Sequence, residues 1–212
     1  MNVSLPPIPK PKLRGVFHLV AFFISLVTGP VLVLIANTAR IGTAIFTIGM
    51  SALFGVSALY HKPNWRPAVR KWLRKLDHSM IFVLIASTFT PFALVIGTGW
   101  ANFVLIVVWL SVLLGTLVTM LPISAPKPVV VIPYLALGWL GVTVLPEGFP
   151  TLGAGPMVLL AVGGVLYTFG ALAYARRSPN PKPETFGYHE IFHVAVVLAA
   201  YAHYAAIAIA VV

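Results

Sequence analysis

The chain has 212 residues, of which 59% are hydrophobic and only 8% charged, with a mean hydropathy of +0.98; this excludes an ordinary soluble domain, where roughly a quarter of residues carry charge. The net charge of +10 would suggest nucleic acid for a soluble protein, but these cations lie between apolar spans, where anionic inner-leaflet headgroups are the nearer partner and nucleic acid is not expected. The absence of Cys removes disulfides, thiolate metal ligands and cysteine nucleophiles, without indicating a redox compartment.

Residues 1–14, MNVSLPPIPKPKLR, hold four prolines and no apolar run. They read as a disordered basic arm, not a cleavable signal peptide. Residues 15–212 read as a single all-α membrane domain, a seven-transmembrane helix bundle with no room for a separate soluble domain. The expected spans are 15–37, 42–61, 77–97, 100–121, 129–145, 156–175 and 188–212, each long enough or nearly so to cross roughly 30 Å of hydrocarbon. Span five is the shortest. Pro30, Pro91 and Pro133 fall inside spans and predict kinks. Between spans two and three, Trp65, Val69, Trp72, Leu73 and Leu76 follow helical spacing with basic residues interleaved, which predicts an amphipathic helix at the membrane surface or an extension of span three.

Basic loops stay on the cytoplasmic side. With seven spans and a cytoplasmic N-terminus, every Lys and Arg except Arg40 falls inside. The C-terminus is therefore expected outside, in a cell membrane and specifically a bacterial inner membrane.

Only four acidic residues and six histidines occur, so their depth is informative: an ionisable group in an apolar span is costly and by default functional. Ser57 and His61 lie one turn apart near the cytoplasmic end of span two, Asp77 and His78 open span three, and His189, Glu190 and His193 open span seven. Three groups far apart in sequence thus share one depth. His189 and His193, at i and i+4, project from one helix face, a spacing that grips one metal ion, and His61 can supply a third nitrogen. Three imidazoles with an open position for water suit zinc. Asp77 then reads as a carboxylate that orients water or takes its proton, and Ser57 as a hydroxyl donor beside the reacting atom. The stretch HEIFH also matches HExxH, whose metalloprotease use needs a further ligand downstream; His203, about 15 Å along a continuous helix, cannot reach the same ion. Glu190 is expected to face the interface or pair with a basic residue, and His203 to make an interhelical hydrogen bond.

The segments SALYH (Ser57 to His61), LDHSMIFVLIASTFTP (Leu76 to Pro91) and HEIFH (His189 to His193), in that order, resemble the bacterial hemolysin III family, which belongs with the adiponectin and progestin receptors in the PAQR group. The resemblance runs from RGVFHLVAFF in span one to span seven. It implies a seven-helix fold with the N-terminus inside, a zinc ion held by His61, His189 and His193, and functional positions at Ser57 and Asp77. Alkaline ceramidases in the wider superfamily imply hydrolysis of a lipid amide or ester. The alternatives are a membrane-homeostasis or receptor-like sensor with structural zinc, and a cytolysin. The sequence sets neither the substrate nor an oligomeric state.

Overall fold

The computed structural model describes residues 10–121 and 126–212. Among these, eight helices and one short 3-10 turn supply seven candidate membrane spans. Helix α1 covers Val16–Ile35, α2 Arg40–His61, α3 Pro67–Ile96 and α4 Gly99–Met120. Helix α5 (Lys127–Leu140) passes through the 3-10 turn Gly141–Val144 into α6 (Leu145–Leu152), and α7 (Ala154–Arg176) and α8 (Tyr188–Val211) follow. The protein is a multi-pass membrane protein of all-helical architecture. Residues 1–9 of the expected arm lie outside the described residues.

The spans pack as the bilayer requires. Lipid tails are as apolar as leucine, so close approach at small residues drives helix association, and it does so here around a core that includes Leu32, Phe46, Met50 and Phe54. On α1, His18, Ala21, Ser25, Gly29 and Leu32 are buried, while Val20, Phe23, Val27 and Leu34 on the other face are exposed. A Cβ on Gly49 would lie 2.3 Å from Ser87 Oγ, so only glycine permits the observed approach of α2 to α3. Helices α7 and α8, α2 and α3, α1 and α2, and α3 and α4 form the main contacts.

Of the two forms expected for the amphipathic segment, the structure has the extension of span three, giving one 30-residue helix with Pro67 in its first turn, where the missing N–H costs nothing. Trp65 precedes that helix, and its indole donates to Leu59 O at 2.7 Å. Span five extends beyond 145 to Leu152 and is interrupted at Gly141–Val144. Pro146 and Pro150, which look like loop residues, sit inside α6, and the Thr98 hydroxyl donates to Glu147, satisfying the one carboxylate there. Helices α1, α3 and α5 continue through Pro30, Pro91 and Pro133.

The two ends of the bundle are tied differently. At one end Asn37 Nδ2 donates to Val212 O at 2.8 Å, joining the α1–α2 loop to the C-terminus. At the other, Lys10 Nζ donates to Lys62 O at 3.0 Å, and the Lys12 and Leu13 amides donate to Glu184 O and Thr185 O. The α2–α3 and α7–α8 loops therefore share an end with residues 10–14. Burial and the neighbouring cations Arg70, Arg14 and Lys62 hold the Lys10 ammonium below its ordinary pKa.

Candidate metal centre

The loops at the second end place the polar residues. Helix α2 ends at His61, next to Lys62 and Pro63, and the Trp65 indole takes up a carbonyl of its last turn, one of the acceptors a helix terminus leaves open. Gly15, ahead of α1, has φ +76°, and a Cβ there would lie 2.7 Å from His61 Cβ. Both conditions require glycine, which lets α1 start against His61. Helix α8 starts after Gly187, whose N–H donates to Glu190 Oε2 at 2.9 Å; the Tyr188 N–H donates to Asn180 Oδ1 at 3.3 Å. The first two turns of α8 are thereby held where His189 and His193 are needed.

His61, His189 and His193 offer ligand nitrogens that all lie within 4.8 Å of one another. The Nε2 atoms of His61 and His189 are 3.3 Å apart. His61 and His193 are buried, and His189 is half-buried. Asp77 Oδ2 is 3.8 Å from His61 Nε2, and the Ser57 hydroxyl hydrogen-bonds to the Asp77 carboxylate. The five residues singled out in the sequence therefore meet, drawn from α2, α3 and α8. This buried triad is able to hold a metal ion.

Sequence reasoning missed two members of the surroundings. The His18 ring stacks on His193, with centroids 4.0 Å apart and an interplanar angle of 13°, so α1 also reaches the cluster. Its only sequence signal was its depth in span one. Arg14 Nε donates to Glu190 Oε1 across 176 positions of sequence, and Glu190 is almost wholly buried. Both Glu190 oxygens are thus engaged, one by Arg14 and the other by Gly187 N–H, as expected of a structural carboxylate and not of a protease general base.

The remaining histidines stay apart from the triad. His78 Nδ1 donates to Arg74 O at 2.6 Å. His203 Nε2 donates to Leu160 O at 3.3 Å, an α8-to-α7 hydrogen bond of the kind expected, where Gly163 leaves the space its ring occupies.

A cavity of about 670 Å³ opens beside the triad. Its polar end carries Ser57, Asp77, His189 and His193, and its wall continues along α3, α5 and α7 through residues such as Ile85, Phe92, Leu135 and Met157. The arrangement suits an amphiphile: a mostly apolar chamber with a limited number of polar groups in its wall, several of them at the histidine cluster.

The model of the family described as Haemolysin-III related matches residues 7–204. The chain belongs to this family. Among its relatives, Hemolysin-3 of Bacillus cereus is 28% identical over 68% of this chain and 68% of its own length. The Hemolysin-3 homolog of Bacillus subtilis (strain 168) is 34% identical over 61% of each chain. The human Monocyte to macrophage differentiation factor is 28% identical over 79% of this chain and 69% of its own. These names place the chain in the PAQR group, so the haemolysin-III family resemblance holds across bacterial and animal members.

Proposed function

We propose that this haemolysin-III-related protein is a zinc-dependent hydrolase of a lipid amide or ester in a bacterial inner membrane. One observation carries the reading: a cluster of three imidazoles and a carboxylate borders a mostly apolar cavity, into whose wall His189, His193, Asp77 and Ser57 are built. The donor set fits zinc. Two nitrogens bound to one tetrahedral zinc at about 2.0–2.1 Å stand about 3.3 Å apart, the separation found between His61 and His189; the three lie within 4.8 Å of one another, so the set would tighten around an ion, and no thiolate competes. Zinc bound there would supply Lewis acidity toward a carbonyl and acidify water.

The other steps belong to the chain. Asp77, beside His61 and fixed by the Ser57 hydroxyl, is placed to take a proton and later return it to the leaving group. The apolar wall orders the acyl chain, excludes bulk water and strengthens every polar interaction at the cluster. The test is release of free fatty acid from a panel of ceramides, N-acyl amino compounds and phospholipids, with zinc measured on the same purified samples. Slow turnover of at least one lipid by zinc-replete protein is expected. No turnover across the panel would favour a sensor in which the ion fastens α2 to α8, a reading aided by the His18 stack that brings α1 to the same point. Dye release from vesicles without acyl hydrolysis would assign lysis instead.

The orientation belongs to the same proposal and places the cluster in the cytoplasmic half of the membrane. A reporter fused after Val212 should be active outside the cytoplasm, and one within residues 62–75 inside. The reverse pattern would move the chemistry to the other leaflet.

A further inference from the structure

We propose that the cavity selects amphiphiles bearing an anion a few bonds from the carbonyl held at the histidine cluster, and that Arg74 binds this anion. The position of the carbonyl rests on the hydrolase reading; the charge preference rests on the place of Arg74 in the cavity wall and on its freedom from an ion pair.

One face of α3 lines the cavity from Arg74 to Ile96. Arg74, Asp77, His78, Ile81, Ile85 and Thr88 all belong to the wall, which continues to Ile96. Their spacing of three and four residues is that of a single helical stripe. Because the amphipathic segment and span three form one unbroken helix, Arg74 is fixed on the same rod as Asp77. The stripe is graded: Arg74 with Lys75, then the Asp77 carboxylate beside the cluster with His78 next to it in sequence, then mostly apolar side chains to Ile96. A ligand lying along it meets Arg74 about 4.5 Å beyond the level of Asp77, three residues at 1.5 Å each.

Arg74 and Lys75 are the two cations of the cavity wall, and of these Arg74 is the less engaged, since the Lys75 ammonium also lies over the Trp72 ring. Arg14 is taken by Glu190. The Lys75 ammonium donates to Met120 O. Asp77 faces His61 and accepts from Ser57. Among the described residues the Arg74 guanidinium enters no ion pair, yet it forms part of the cavity wall. A guanidinium presents a planar fork that matches a carboxylate or phosphate with two parallel hydrogen bonds. Lipids with a carboxylate or phosphate near the acyl bond carry that anion at the required distance. Neutral ceramides and acylglycerols do not.

The test is equilibrium displacement of a fluorescent fatty acid from the full-length protein in nanodiscs of neutral lipid. Two matched pairs separate the sources of the anion: N-oleoylglycine against N-oleoylethanolamine for carboxylate, and oleoyl lysophosphatidate against monooleoylglycerol for phosphate. At least one anionic member should bind roughly tenfold or more tighter than its neutral partner, the range of charge-assisted hydrogen bonds. Arg74→Gln should bring that ratio near one while leaving the neutral ligand unchanged, and Arg74→Lys should keep part of it. Lys71→Gln removes an equal charge from the same extension, outside the cavity wall, and should leave the ratio intact. Equal binding within both pairs, a ratio that survives Arg74→Gln, or one that falls equally in Lys71→Gln would overturn the proposal. A preference lost in Arg74→Gln with no acyl release would uphold this site and count against hydrolysis; acyl release without preference would do the reverse. If none of the four ligands binds, this proposal falls, while acyl release across the lipid panel decides the hydrolase reading separately.

Discussion

Alanine in place of His61 or His193 should lower the zinc of purified protein from about one ion per chain to none, while Asp77→Asn should keep the ion and lose turnover. The two effects separate because the groups hold different things. Removing one of three imidazoles leaves two nitrogens, and apparent zinc binding worth about 10–16 kcal/mol in structural sites depends on the full donor set. Asparagine is nearly isosteric with aspartate and can still accept a hydrogen bond from Ser57 through its carbonyl, so packing beside His61 is preserved. It cannot take a proton, and general-base contributions are typically about 10² to 10⁴ in rate. His203→Ala, far along α8, should retain zinc and mark the boundary of the site. Zinc retained in both His61→Ala and His193→Ala would remove the centre. Full turnover in Asp77→Asn would remove the carboxylate from the chemistry while leaving the centre in place.

Glu190→Ala should destabilise the protein by up to about 3 kcal/mol, the lower end of the cost of breaking a buried ion pair, because Arg14 is only partly buried. The loss has two parts. Arg14 is left without its counter-charge, and the Gly187 N–H at the start of α8 loses its acceptor. The first turn of α8 also carries His189, so weaker zinc retention should accompany the fall in thermal stability in detergent. Glu190→Gln keeps an acceptor for Gly187 and should cost less. Pairing it with Arg14→Met should recover much of the loss, since replacing both members of a buried pair is often close to neutral. A general base in HExxH chemistry predicts the opposite: Glu190→Gln would abolish turnover with stability intact. That result would overturn the structural assignment of this carboxylate.

What could be read from the sequence tracks the scale of the forces involved. The seven spans were legible because the bilayer demands about 20 apolar residues for each crossing. The interruption between α5 and α6 was not. Pro146, Glu147 and Pro150 look like loop residues, and the partner that satisfies Glu147 is Thr98, 49 positions away. Around the cluster, the shared depth of His61, Asp77, His189 and His193 could be inferred because ionisable groups are scarce and basic loops mark the membrane boundary. That Glu190 pairs with a basic residue was among the expectations, but its partner, Arg14, could not be read, since no periodicity joins residues 176 apart. The His18 stack on His193 depends on how α1 leans on the bundle, and Gly15, which sets that approach, reads in sequence only as a residue before a helix.

The three imidazoles also bear on how the protein is made. His61 and His189 lie 128 positions apart, on the second and last spans, and chains grow at about 5–20 residues per second. For roughly ten seconds His61 therefore sits in a nascent chain whose other two donors do not yet exist. Arg14 waits longer still for Glu190. The cluster can form only after α8 has emerged and docked against α7 and α1, so on the proposed zinc reading metal loading would report on completed membrane insertion, and a chain stalled before α8 would lack two of the three imidazoles.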